Sequence, residues 1–386
     1  MEAVAVIVGA GPAGLATAAC LSLHSIPNII LEKEDCCASL WKKRAYDRVN
    51  LHLAKQFSHL PHMPHPPSTP TYIPREVFIS YVDRYVDRFN LSPLYNRCVE
   101  SARYDGSSGK WVVMVRNSLS NEIEEFEGRF LVVATGENSK GFIPDVPGLQ
   151  TFSGEIVHSS AFKSGRGCGG KAVLVVGSGN SGMEIALDLS NHEAKTAIVV
   201  RSPVHVVTRE MVYLGMVLLK YLPCSLVDSV TVALSKLRFG DMSNYGITRP
   251  AKGPFLLKAT LGRSPVVDVG TIDKIKSREI QVLPALVSIK GSEAEFADGT
   301  VQAFDAIVFA TGYRSTAKNW LKVDNDLLDE EGMPLQKFPN HWKGKNGIYC
   351  AGLSKRGLAG VCEDAQKIAD DIERVLVEEG VGFLEK

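Results

Sequence analysis

Apolar residues in this chain gather in short runs bounded by glycine, at 4–8, 28–31, 130–134, 173–176, 196–200, 305–310 and 347–351. A continuous run of this kind beside a helical pattern predicts a strand buried on both faces, as in a parallel βαβ unit. Residues 110–115 and 122–128 predict a β excursion ahead of the strand at 130–134. The stretch 61–74, "PHMPHPPSTPTYIP", holds too many prolines for regular structure and predicts an extended surface loop. Helical spacing resumes at 75–89 and again at 361–377, where the residues from Gly352 to Gly360 lead into a last helix.

Two of the predicted strands run into the same glycine pattern. Gly9-Ala10-Gly11-Pro12-Ala13-Gly14 follows the first strand, and Gly177-Ser178-Gly179-Asn180-Ser181-Gly182 follows the strand at 173–176, about 170 residues later. In GxGxxG between a strand and a helix, the first glycine makes a tight turn. The second lets backbone approach a pyrophosphate, and the third lets helix and strand pack closely. The helix N-terminus then offers unpaired N–H groups to the phosphates. The acidic or basic residue ending the next strand reads the ribose. After the first loop that residue is Glu32, suited to accept from a ribose hydroxyl pair; after the second it is Arg201. A guanidinium there can pair bidentately with a 2′-phosphate, which a carboxylate would repel. The pattern therefore predicts an α/β fold with two Rossmann-like dinucleotide-binding domains, one inserted in the other. Residues 1–150 and 303–386 form the expected discontinuous first domain, and 155–300 the second, with an apolar insert at 203–265 lacking the α/β rhythm. The different ribose readers predict two cofactors, FAD at the first loop and NADPH at the second.

Composition narrows the function. The 386 residues carry 43 Lys and Arg against 43 Asp and Glu, with no basic run, so nucleic acid is an unpromising partner. The eight cysteines contain no CxxC pair, which argues against a dithiol reductase and fits a reducing compartment. The most apolar region, 211–234, is broken by Lys220, Pro223 and Asp228 and falls short of the roughly 20 apolar residues of a span. No integral membrane segment is expected, and the expected location is cytoplasmic. His52, His59, His62 and His65 lie close together, but four prolines hold their segment extended and no cysteine or carboxylate accompanies them. No metal site is expected there.

Residues 152–162, "FSGEIVHSSAF", match FxGxxxHxxxF, the fingerprint of flavin-containing monooxygenases. "ATGEN" at 134–138, "FATGY" at 309–313 and "EKEDCCASLW" at 32–41 resemble further segments of that family. "LWKKRAYDRVNLHLAKQF" and "HWKGKNGIYCAGLSKRGLAG" resemble its YUCCA branch, plant enzymes that form indole-3-acetate from indole-3-pyruvate. The resemblance implies FAD contacts at Gly9, Gly11, Gly14, Glu32, Trp41 and Gly352. It implies NADPH contacts at Gly177, Gly179, Asn180, Ser181, Gly182 and Arg201. Gly154 and His158 fall on the fingerprint and imply domain orientation more than cofactor bonding. Asn138 is placed to donate to substrate or nicotinamide. His52 stands where animal and microbial members carry an active-site Asn, which sets their amine and sulfide chemistry in doubt here. The implied reaction uses O2, through a C4a-(hydro)peroxyflavin, to decarboxylate a 2-oxo acid, indole-3-pyruvate, to the auxin indole-3-acetate. Oxidation of amines or sulfides, ketone oxygenation and non-catalytic nucleotide binding remain as alternatives.

Overall fold

The computed structural model describes residues 1–321 and 327–380. Contacts divide the chain into two compact units, neither of them one continuous stretch. The first takes Met1–Lys43, Lys55–Lys140 and Tyr313–Lys386; the second takes Arg44–Ala54 and Gly141–Gly312. Residues 322–326 and 381–386 of the expected first domain lie outside the described residues.

In the first unit the strand Glu2–Val8 pairs parallel with Asn28–Leu31 on one side and Ile123–Val133 on the other. The long strand Ile123–Val133 changes partner along its far edge. Its first half runs antiparallel to Lys110–Asn117, and Leu131–Val133 run parallel to Ile348–Cys350. One strand thus serves both the β excursion and the parallel sheet. Helix Pro12–Leu23 is apolar almost all round and is buried from Ala13 to Leu21, as such a helix must be in water. It packs against the final helix, Gly357–Glu378, which starts four residues before the expected 361. Of the proline-rich stretch, Tyr72–Pro74 is a short strand and the rest is irregular. Tyr81 on helix Arg75–Arg88 fastens it, donating from its hydroxyl to Met63 O at 2.6 Å and accepting from Leu60 N–H at 2.8 Å.

The second unit is built on five parallel strands in the order Ile280–Leu283, Lys195–Val199, Ala172–Val176, Ala306–Phe309 and Glu155–His158. This corrects the domain limits expected from sequence. The run at 305–310 falls within the expected first domain, yet Ala306–Phe309 lies between two strands of the second unit. Each unit therefore has its own strand ending in Ala-Thr-Gly. The second difference is Arg44–Ala54, which belongs to the second unit although the chain on both sides belongs to the first. Tyr46 of this segment is buried in the second unit's core, and Asp47 N–H donates to Lys163 O at 3.0 Å.

The apolar insert is a small helical layer. Val206–Val207 pairs with Val266–Val267 to close it at the base. Between them stand helices Arg209–Leu218, Cys224–Phe239 and Pro254–Leu261. Asp228, buried on the middle helix, caps the third by accepting from the N–H groups of Phe255 and Leu256 at 2.8 and 3.1 Å. No described helix is long and apolar enough to cross a membrane.

Candidate functional site

The two glycine turns have the same conformation in both units. Gly9 has φ +112° and Gly177 +118°, a region that only glycine enters freely. A Cβ on either would stand 2.5 Å from a carbonyl oxygen of the neighbouring Ala-Thr-Gly turn, Ala134 O in one case and Ala310 O in the other. A Cβ on Gly14 would collide with Gly9 O, and one on Gly182 with Gly177 O. Gly11 and Gly179 differ from these: their backbones are ordinary and extended, and a Cβ on either meets nothing within 4 Å. Nothing in the fold of either unit requires glycine at those two positions. Glycine there leaves the backbone open to close approach by a pyrophosphate.

Both middle glycines are helix N-caps without a side-chain cap, for Pro12–Leu23 and Asn180–Asn191. The N–H groups of each first turn are therefore not satisfied by a capping side chain, and the positive end of the helix dipole lies there, a setting suited to an anion. Thr135 Oγ1, beside the Gly9 turn, is buried with no hydrogen-bond partner, whereas its counterpart Thr311 Oγ1 donates to Phe142 O. The open middle glycines and uncapped helices fit a dinucleotide at each turn, and the orphaned Thr135 hydroxyl adds a free polar group at the first.

The two residues expected to read a ribose stand in different settings. Glu32 is buried at the end of strand Asn28–Leu31 and is held against the first loop. Its Oε2 accepts from Ala10 N–H at 2.8 Å and its Oε1 from Glu34 N–H at 3.0 Å. Burial pushes its carboxyl above the usual range, and these backbone hydrogen bonds oppose that shift. Arg201, just beyond strand Lys195–Val199, is exposed and makes no hydrogen bond or ion pair among the described residues.

The fingerprint at 152–162 acts as a fastening for the edge strand Glu155–His158 of the second unit. Phe152 packs against one core cluster and Phe162 is buried in another. Gly154 lies so close to Asp305 O that a Cβ would collide with it. His158 Nδ1 accepts from Ser160 N–H at 3.2 Å, which leaves Nε2 to donate to Gly312 O at 3.0 Å. Accepting at Nδ1 needs the neutral ring; burial holds the His158 pKa below the usual range, and donation to Gly312 O opposes that shift.

The remaining sequence candidates divide between the units. In the first unit, Trp41 packs against Phe78 with centroids 4.7 Å apart and ring planes tilted by 58°, and its carbonyl accepts from Arg75 Nε at 2.9 Å. Gly352, at φ +75°, packs on Ala13 of the first-loop helix, where a Cβ would lie 2.8 Å from Ala13 Cβ. Its N–H donates to the buried Asp364 at 2.9 Å, and the second carboxylate oxygen of Asp364 accepts from buried His341 at 2.9 Å. Asn138 sits exposed in the turn after Ile123–Val133. In the second unit, Asn180 is engaged by the protein itself: its amide donates to Pro265 O and accepts from Val267 N–H, tying the loop to the closing strand of the insert. Ser181 lies beside it, half-buried. His52, on strand Asn50–Ala54, does not stand free; it meets Glu184 of helix Asn180–Asn191 at 2.5 Å.

Sequence reasoning missed Glu184, Asp364 and His341. Glu184 had a visible signal, an acid among apolar residues on the buried side of the helix after the second glycine loop. Asp364 and His341 had none, because the chain between them gives no indication that they meet. The buried thiols Cys37 and Cys350 and the half-buried Cys362 are all held above the usual thiol range by burial, which disfavours a thiolate nucleophile.

Residues 2–331 match the family described as flavin-binding monooxygenase-like. Over 377 residues the chain is 54% identical to the probable indole-3-pyruvate monooxygenase YUCCA10 of Arabidopsis thaliana, covering 97% of this chain and 98% of the other. It is 45% identical over 373 residues to the indole-3-pyruvate monooxygenase YUCCA1 of rice, covering 95% and 91%. Among solved structures, the flavin-containing monooxygenase from Stenotrophomonas maltophilia shares the fold with TM-score 0.73 and 20% identity, over 97% of this chain and 99% of that one. The NADP+-bound cyclohexanone monooxygenase from Rhodococcus sp. Phi1 shares it with TM-score 0.73 and 15% identity, over 98% and 85%.

Proposed function

The chain belongs to the flavin-binding monooxygenase-like family, as an oxidoreductase using FAD and NADPH, and on that premise we propose that it converts indole-3-pyruvate to indole-3-acetate in auxin biosynthesis. The balanced reaction takes indole-3-pyruvate, NADPH, O2 and a proton to indole-3-acetate, CO2, NADP+ and water. The observation that carries this reading is the near full-length likeness to a relative named for that reaction. Two glycine turns of one geometry with opposite ribose readers support the pair of cofactors.

In this reading the Gly9–Gly14 turn and the start of helix Pro12–Leu23 hold the FAD pyrophosphate, and Glu32 accepts from the adenosine ribose. Bound FAD supplies the hydride acceptor and the reduced ring that reacts with O2. Gly352, tied to Asp364 and packed on Ala13, fixes the approach of the last helix to the first-loop helix. The Gly177–Gly182 turn holds the NADPH pyrophosphate, and Arg201 pairs with the 2′-phosphate. Asn180 shapes that turn through its bonds to the insert, with its backbone at the phosphates. Asn138 offers its amide to substrate or nicotinamide. No protein nucleophile is needed, because the residues bind and orient the reactants. The cytoplasm, where NADPH is available and thiols stay reduced, is the expected compartment.

Purified protein loaded with FAD and given NADPH, air and indole-3-pyruvate tests the reading directly. Indole-3-acetate formed nearly one for one with NADPH, with little H2O2, is the expected result. NADPH consumption yielding mainly H2O2 would reject this substrate, and turnover of an amine or sulfide instead would move the chain to heteroatom oxidation.

A further inference from the structure

Helix Cys224–Phe239 in the insert has two apolar faces, and the protein covers only one. Val227, Thr231, Ser235 and Phe239 turn inward and are buried, as is the capping Asp228. Outward, Leu226, Val230, Ala233 and Leu237 recur at spacings of four, three and four, which aligns them as one stripe along the helix. Leu237 is 85% exposed and Leu226 54%. The turn before the helix continues the apolar surface with Leu219, Leu222 and Tyr221, the last 79% exposed. The helical part of the stripe alone runs for about 16 Å.

The exposed charge carried by the helix and by the turn before it has one sign. Lys236 and Arg238 flank Leu237, Lys220 precedes Tyr221, and the helix exposes no carboxylate, since Asp228 is buried. Arg238 forms an ion pair with Asp273 at 3.5 Å, both side chains being exposed. The insert 203–265 holds eight Lys or Arg against three acids, in a chain whose total charge is zero. The excess positive charge is thus concentrated where the uncovered apolar surface lies, and the remainder of the chain carries the opposite excess.

We propose that this stripe docks on the surface of an anionic phospholipid bilayer. Leu226, Val230 and Leu237 enter the acyl boundary, Tyr221 rests at headgroup depth, and Lys220, Lys236 and Arg238 meet lipid phosphates. A second copy of the chain fits less well. Parallel pairing of two such helices sets each cation against its own counterpart, and antiparallel pairing brings no exposed carboxylate of the helix opposite them. Attachment lies in the plane of the membrane, because no described helix is long and apolar enough to span it.

The test is flotation of the FAD-loaded full chain with vesicles of phosphatidylcholine alone or with a third of phosphatidylserine. The expected result is recovery with the anionic vesicles, falling at raised salt and at least about tenfold weaker with phosphatidylcholine alone, since each cation near the surface contributes roughly fivefold. Leu226→Glu, Val230→Glu and Leu237→Glu together should abolish flotation while the flavin absorbance and thermal midpoint stay at the parent values. Lys236→Glu with Arg238→Glu should remove the lipid preference. Failure of the parent chain to float, or equal flotation of the triple variant, overturns the proposal. A parent dimer that the triple variant converts to monomer, seen by light scattering without vesicles, also overturns it and assigns the stripe to self-association.

Discussion

His52 and Glu184 meet at 2.5 Å within the second unit, joining a strand of the Arg44–Ala54 segment to the helix that begins at the second glycine loop. Glu184 is 2% exposed, and His52 is its one hydrogen-bonding partner among the described residues. A buried carboxylate left without its partner keeps its full desolvation cost. His52→Leu should therefore destabilise the second unit by about 2–4 kcal/mol in denaturant unfolding. Adding Glu184→Leu should restore a large part of that loss, since both polar ends are then gone. Turnover by His52→Gln separates the roles: a large fall in kcat with unfolding unchanged would place the side chain in the chemistry, and unchanged kcat would leave it as a fastening.

The two kinds of glycine in the second loop should respond differently to one methyl group. Gly179 has ordinary backbone angles and open space where a Cβ would go. Gly179→Ala should fold with full FAD content and raise the KM for NADPH by at least about tenfold through lost close approach. Gly182→Ala meets Gly177 O and should fail earlier, as insoluble or poorly folded protein. Equal solubility and equal kinetics for the two variants would contradict this assignment.

Arg201 is exposed and makes no ion pair among the described residues, so its loss should cost the fold little. Arg201→Ala should raise the KM for NADPH by about 10- to 100-fold, the range of a lost charge-assisted pair. The KM for NADH should barely move. Parallel losses for both nucleotides would show that Arg201 does not read the 2′-phosphate.

His158 gives the second unit a pH dependence of known sign. Its folded-state pKa is lowered, chiefly by burial, and its Nδ1 accepts from Ser160 N–H, which the neutral ring alone can do. The unfolded chain takes up this proton near the ordinary pKa of about 6.5, while the folded chain resists until lower pH. Its contribution is therefore complete above about pH 6.5 and is lost as pH falls from there toward the folded-state value. Thermal midpoints between neutral and mildly acidic pH should decline less steeply in His158→Asn than in the parent. An unchanged slope would remove His158 as a source of the dependence.

Much of this was legible along the chain. The seven apolar runs mark strands because burial on both faces leaves no place for polar residues, and the glycine turns are local geometry written in local sequence. The domain limits were less legible. Residues 305–310 resemble 130–134 because both units use a strand ending in Ala-Thr-Gly, and resemblance cannot say which sheet a strand joins. Nor could the spacing of Arg44–Ala54 show that Tyr46 is buried in the second core, since that depends on residues more than a hundred positions away. The same distance hid the partner of His52. The glycine pattern places Asn180 in the second loop, but its two bonds to Pro265 and Val267 arise from the insert that follows it.

The placement of Arg44–Ala54 has a practical consequence for exchanging nucleotide preference between relatives. A fragment encoding only 141–312 carries Glu184 without His52 and a core missing the ring of Tyr46. Recombination at 140 and 312 joins each recipient's strap to a foreign helix and sheet, so mismatches there would be mistaken for failures of the phosphate loop. The transferable cassette is two pieces, 44–54 together with 141–312, and a chimera that moves both keeps the strap with the helix it fastens.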